Sequence, residues 1–236
     1  MPKLEVIVTS AAEAMIAAAG GADRLELVSA LDTGGLTPDW DTVSAVSKSV
    51  CIPVRVMLRE NGSMSMAGPK ELAALETAAA HFEQLDIDGL VMGWISDAGD
   101  VDVASLEAVL ARAPKCKVTF HRAFEHLAEP LAGLRVLKRF KQIDRILTCG
   151  GAGSWRERKS RLREWSKAAA PGIGILVGGG LSEREAAELM GDTEFPEVHV
   201  GRAARTPQEN SGALDAGKIA ALKSASCESL PNRRGE

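Results

Sequence analysis

Tyrosine is absent from this chain of 236 residues, and all aromatics together make up only 4% of it. A core so short of rings must be filled by Ala, Val, Leu and Ile, which suits an α/β barrel with its ring of helices better than an all-β sandwich. The formal net charge is only −4 and no basic stripe with interleaved aromatics occurs, so nucleic acid is not an expected partner. No apolar run approaches membrane-spanning length, and Met1-Pro2-Lys3-Leu4 leads straight into a strand pattern without a charged and then apolar leader. The expectation is a cytoplasmic protein that does not engage a membrane. Cysteine is scarce too: Cys51, Cys116, Cys149 and Cys227 form neither a CxxC pair nor a Cys/His zinc spacing, and read as reduced packing thiols. No lysine falls at the carboxyl end of a strand-like segment, so a Schiff-base aldolase would lack its nucleophile.

What is present is a regular alternation. Segments rich in Val, Ile and Leu begin at Leu4, Arg24, Val54, Gly89, Val118, Arg145, Ile173 and Glu197, and helix-forming stretches lie between them. Ser10 caps a helix over Ala11 to Ala19; Thr37-Pro38 reads as N-cap and first-turn proline of a helix reaching about Val50. The spacing of roughly 25 to 30 residues, with short connections, predicts a TIM (β/α)8 barrel. A doubly wound sheet is the rival, but strand one runs into Thr9-Ser10-Ala11 instead of a Gly-rich dinucleotide turn. The barrel makes residues 1–236 a single domain, with a core over about 4–226 and a loose polar tail over about 230–236.

A parallel barrel builds its sites at the carboxyl ends of its strands. Strand five ends Thr119-Phe120-His121-Arg122, delivering an imidazole and a guanidinium there. The competing reading makes His121 a hydrogen-bonded core histidine and Arg122 a surface ion-pair partner. Glu5 and Glu26 occupy the same phase of strands one and two, so their carboxylates point the same way, and His199 lies on strand eight. Glu5, Glu26, His121, Arg122 and His199 are therefore candidate catalytic residues, suited to proton transfer on a sugar-like substrate or to holding a divalent metal. An ion-pair plug in the barrel mouth is the equal alternative, because Arg55 and Arg59 share a face of strand three and buried cations need anionic partners.

After strand seven comes Val177-Gly178-Gly179-Gly180-Leu181-Ser182, and after strand eight Gly201-Arg202. Glycine-rich turns at a helix start expose backbone N–H groups to an anion. Gly178, Gly179, Gly180, Gly201 and Arg202, with Arg59, are candidate binding residues for a small anionic ligand. The bland alternative is a tight turn closed by a Ser182/Glu185 capping box. Segment 60–68, with Asn, Gly, Ser and two Met, is expected to form a mobile loop beside the site.

Several pieces in collinear order, namely Leu4-Glu5-Val6, Gly20-Gly21-Ala22-Asp23-Arg24-Leu25-Glu26-Leu27, Gly34-Gly35-Leu36-Thr37-Pro38, Thr119 to Phe124, Asp144 to Thr148 and Gly178-Gly179-Gly180, resemble the CutC family. The similarity runs from about Leu4 to Arg205. It implies a cytoplasmic TIM barrel, a homo-oligomer with a dimer as the first expectation, and a part in copper homeostasis with copper as cargo. The chain departs from the family pattern where relatives carry Cys on strands one and two: here Ile7 and Val28 offer only hydrocarbon. Soft Cu(I) favours thiolate and thioether ligands, so a tight Cu(I) site in the barrel mouth is not expected, and Cys149 is the one weak metal candidate. Two readings stay open. One is a copper-handling protein; the other is a barrel enzyme or binding protein for a small phosphorylated or carboxylated metabolite.

Overall fold

Side chains alternate across a strand, so each strand of a barrel presents one set to the helices and the other to the interior. A computed structural model describes residues 2–228, with side chains through 225. Strands β1 (Lys3–Val8), β2 (Arg24–Leu27), β3 (Val54–Met57), β4 (Gly89–Met92), β5 (Lys117–Phe120), β6 (Ile143–Thr148), β7 (Gly174–Val177) and β8 (Glu197–Val200) pair in chain order. Parallel pairing of β8 with β1 closes the barrel. Around it run α1 (Ala11–Ala19), α2 (Trp40–Ser49), α3 (Pro69–Phe82), α4 (Val103–Leu110), α5 (Pro130–Leu137), α6 (Trp155–Ala169), α7 (Glu183–Met190) and α8 (Ala216–Glu228). This is the TIM barrel the alternation predicts. The polar tail over 230–236 lies outside the described residues. None of the described helices is long and apolar enough to cross a membrane.

Local chemistry moved some boundaries. Asp39, not Thr37, caps α2, its side chain accepting from Thr42 N at 2.7 Å. Thr37 is used otherwise: its hydroxyl donates to Arg59 O at 2.9 Å and accepts from Arg59 N at 2.9 Å, tying the loop after β2 to the end of β3. A short antiparallel pair, β9 (Arg205–Thr206) with β10 (Ala213–Leu214), was not foreseen, because two-residue strands carry no readable alternation. Nor is segment 60–68 loose in its contacts. Arg59 Nη2 donates to Gly62 O at 2.6 Å, Asn61 Nδ2 to Glu71 Oε1 at 2.6 Å, and Ile95 N to Met64 O at 2.9 Å.

The helix-facing positions are apolar: Val6, Leu25, Val56, Met92, Phe120, Ile146, Val177 and Val200 are buried in one cluster with Leu75, Phe82, Leu134 and Leu162 of the helices. The interior is charged. Arg24 Nε donates to Glu5 and its Nη2 to Glu197 at 2.6 Å. Glu197 accepts from Arg145 Nε at 2.5 Å, Arg145 Nη1 reaches Asp144 at 2.5 Å, and Arg55 binds Asp144 through both Nη atoms at 2.7 and 2.8 Å. Arg55 Nε closes on Asp88 at 2.8 Å, and its Nη1 also donates to Thr119 at 2.8 Å. Asp144 enters this set because the β5–β6 register shifts beside it, where Val118 pairs with Ile143 but Thr119 pairs with Arg145.

Burial alone would raise the Glu5 carboxyl, but Arg24 and the His199 hydrogen bond outweigh it and hold the group far below the usual carboxylate range. A depressed folded-state pKa contributes stability that is full above the unfolded value and is lost as pH falls below it. The free energy of urea unfolding should therefore fall progressively on acidification below about pH 5. Arg24→Met, which strands a buried carboxylate, should cost about 3 to 5 kcal/mol at neutral pH. A loss under about 1 kcal/mol, the range of exposed pairs, would mean the interior network is not what holds the barrel.

Candidate functional site

At the carboxyl ends of the strands the charged interior opens into a cavity of about 450 Å³. Ile7, Glu26, Met57 and Leu147 from the strands line it, with His121 and His199 beside them; Arg59, Arg122, Gly179, Gly180, Gly201 and Arg202 come from the loops. Glu5 and Gly178, both expected at a site, do not line it. Glu5 lies one layer deeper, taking His199 Nδ1 at 2.8 Å and Arg24 on its other oxygen. Gly178 serves packing: a Cβ there would fall 2.6 Å from His199 Cβ, so only glycine leaves room for that ring.

The order Glu5, His199, Glu26 is a line of groups rising to the cavity. His199 Nε2 stands 3.6 Å from Glu26 Oε2, while Glu26 Oε1 is buried with no hydrogen-bond partner among the described residues. Burial, then the nearby Glu5 charge, push the Glu26 carboxyl up to about 7, against the pull of His199 and Arg24. His199 is lowered by its own burial, but Glu26 and the hydrogen bond to Glu5 win and raise it. Glu26 therefore changes protonation near neutral pH, where acid–base chemistry is most efficient, while His199 holds its proton more firmly than an ordinary histidine.

His121 is different. It sits at the start of a 3₁₀ turn, Arg122–His126, and its Nδ1 accepts from Ala123 N at 3.1 Å. Burial, then the positive charges of Arg59 and Arg122, hold it down at about 3. A neutral ring whose Nδ1 accepts must carry its proton on Nε2, and that atom is buried without a partner among the described residues. The side chain is thus a neutral N–H donor lining the cavity.

Three guanidinium groups rim the space. Arg59 is turned onto the 60–68 loop, and its burial and the nearness of Arg122 lower its pKa. Arg122 pairs with Glu125 at 2.8 Å, so it is an ion-pair partner and a lining residue at once. Arg202 is exposed, and its guanidinium has no hydrogen bond or ion pair among the described residues. Gly179 and Gly180 both adopt positive φ, 101° and 76°, and their missing Cβ atoms admit Arg122 and Arg202. The capping box does form: Ser182 N donates to Glu185 at 2.9 Å and Glu185 N to Ser182 Oγ at 3.2 Å. It leaves the amides of Gly179, Gly180 and Leu181 without acceptors among the described residues.

Sequence reasoning missed Leu31, Thr33, Gly34 and Asn210, which line the cavity. Asn210 lies between β9 and β10 and its Nδ2 reaches Leu31 O at 3.2 Å. The Gly34-Gly35 turn was the only signal for the first group, and none marked Asn210.

The CutC family profile matches residues 2–204. This chain belongs to the CutC family. The copper homeostasis protein cutC homolog of Homo sapiens is 31% identical over 224 residues, spanning 95% of this chain and 81% of the human protein. A family protein CutC of Xanthomonas axonopodis pv. citri is 35% identical over 198 residues, covering 83% and 81%. The crystal structure of CutC from Streptococcus agalactiae superposes with a TM-score of 0.76 at 22% identity, over 85% of this chain and 98% of that one. Thiamine phosphate pyrophosphorylase from Pyrococcus furiosus follows at 0.61 and 15%, over 97% of each chain, a likeness of fold alone.

The copper in the relatives' names raises the question of fit. Among the described residues of this CutC-family chain the sulfur lining the cavity is thioether, from Met57 and Met64. Cys149 stays outside the lining; its thiol faces Gly151 O at 3.6 Å, and burial with the Glu125 charge raises its pKa, disfavouring thiolate. Cys51 is exposed just before β3 and Cys116 is buried just before β5, both at the opposite end of the barrel. Among the described residues no group of three His, Cys, Asp or Glu could hold a metal. The cavity does not fit a thiolate Cu(I) site.

Two measurements check the electrostatics. The His121 ring should show the Nε2–H tautomer by ¹⁵N NMR and no titration between about pH 5 and 8, since its folded value lies well below the ordinary histidine range. Glu26, raised by burial and Glu5 against His199 and Arg24, costs stability as pH rises through about 7. Glu26→Gln should thus stabilise the protein at alkaline pH by about 1 to 3 kcal/mol and change little near pH 5, where the native carboxyl is protonated. A stabilisation of equal size at both pH values would contradict the raised value.

Proposed function

We propose that this protein binds a small phosphorylated or carboxylated metabolite in the cavity at the carboxyl end of the barrel. One observation carries the reading. A buried donor, His121 Nε2–H, and a buried acceptor, Glu26 Oε1, both lack partners among the described residues and belong to residues that line one cavity. Leaving such groups unmet costs about 1 to 3 kcal/mol each, a cost a polar ligand would remove. The free amides of Gly179 to Leu181, with Arg202 across from them, supply the anion grip. A volume of about 450 Å³ suits a compact metabolite.

A copper role reaches this chain through the names of its relatives, and no cysteine among the described residues lines its cavity to support one. Family membership is also the support for placing the protein in the cytoplasm and for a homo-oligomer.

Titration with inorganic phosphate, followed by amide NMR, should shift the signals of Gly179, Gly180 and Leu181. Arg202→Ala should weaken binding by about 1.5 to 3 kcal/mol, the range of a hydrogen bond to a charged group. Unmoved glycine amides at saturating phosphate would dismiss the anion site.

A further inference from the structure

Resting on that anion site, we propose that the cavity carries out reversible proton transfer at the carbon beside a carbonyl, on a small hydroxy-aldehyde or hydroxy-ketone that bears a phosphate or carboxylate. The two unmet groups are a matched pair for this step. Glu26 stands on β2 and His121 just after β5, so they approach the cavity from well-separated strands, while the anion grip follows β7 and β8. A ligand anchored by its anion at Gly179 to Leu181 lays its short carbon chain between them.

Among the described residues Glu26 Oε1 has no hydrogen bond to give up before it takes a proton. Its other oxygen faces His199 Nε2 at 3.6 Å, and Glu5 holds that ring by Nδ1 at 2.8 Å, so the carboxylate is positioned from below. His121 presents one N–H with no competing acceptor among the described residues, the kind of preorganised donor that stabilises charge developing on oxygen. In the step, a C–H bond breaks and its proton passes to Glu26. The freed electron pair forms a carbon–carbon double bond as the carbonyl π pair moves onto oxygen, where the His121 N–H meets it. Return of the proton from Glu26 to the same carbon gives exchange or epimerisation; return to the former carbonyl carbon, with transfer of the hydroxyl proton between the oxygens, gives isomerisation. Nothing is oxidised or reduced overall, and no co-reactant is consumed. Among the described residues no lysine or cysteine lines the cavity, so neither a Schiff base nor a thiol adduct has its nucleophile there.

The test incubates the intact protein in D₂O with glycolaldehyde phosphate, dihydroxyacetone phosphate and ribulose 5-phosphate, following loss of the α C–H signal by ¹H NMR and binding by the glycine amide shifts. At least one compound should bind and exchange. Glu26→Gln, which keeps an oxygen acceptor, should lower that exchange about 10² to 10⁴-fold with the ligand still bound, and His121→Ala should lower exchange in the saturated complex as well as weaken binding by the lost hydrogen bond. Binding without exchange for all three compounds, or exchange at the wild-type rate in Glu26→Gln, overturns the proton-transfer step and leaves the anion site standing. Absence of binding by all three overturns both.

Discussion

The buried contact of Arg24 with Glu5 is the joint on which the interior turns. Glu5 is 1% exposed and Arg24 3%, so neither can rely on water for compensation. From Arg24 the pairing runs through Glu197, Arg145, Asp144 and Arg55 to Asp88, crossing the barrel from strand to strand. A barrel of this kind ordinarily fills its interior with branched apolar layers. Here, among the described residues, the separate apolar group is Val28, Met57 and Val91, with Ile7 and Leu31 packed against it. Buried ion pairs tolerate removal of one member poorly and poor geometry not at all. The register shift that brings Asp144 beside Arg145 is thus part of the charge balance as well as of the sheet.

The same network grades the electrostatics from one end of the barrel to the other. Below, each carboxylate has a guanidinium. Above, Glu26 has only a histidine at 3.6 Å, and His121 has cations nearby instead of an acceptor. Their opposite displacements follow: Glu26 is driven toward its neutral form at about 7 and His121 is kept neutral down to about 3. Groups displaced in this way by burial and a named neighbour, at a cavity, are what functional sites are made of. The arrangement also explains the three glycines one by one. Gly178 clears space for His199, Gly179 for Arg122 and Gly180 for Arg202, so a run that reads as one motif performs three separate tasks.

Much of the fold was legible in the residues, and some of the site. Eight β-rich segments separated by helix formers imply a barrel because sequential parallel strands need helical crossovers and few other closures suit the count. The shared phase of Glu5 and Glu26 is a consequence of period-two alternation and could be read without coordinates. The alternatives of active site and ion-pair plug could not be separated in one dimension, and the folded chain contains both, stacked: Glu5 in the plug, Glu26 and His121 at the cavity.

Composition and periodicity determined the number of strands, the inward phase of the charges and the absence of thiols at Ile7 and Val28, since these depend only on residue type and position along the chain. Tertiary structure alone decided which carboxylate is paired and which is left unmet. Partner choice turns on a register shift at Asp144, on the 2.8 Å grip of Glu5 on His199, and on the arrival of Asn210 from a hairpin far along the chain. Those are distances between residues remote in sequence, set by closure of the barrel, and no local pattern encodes them.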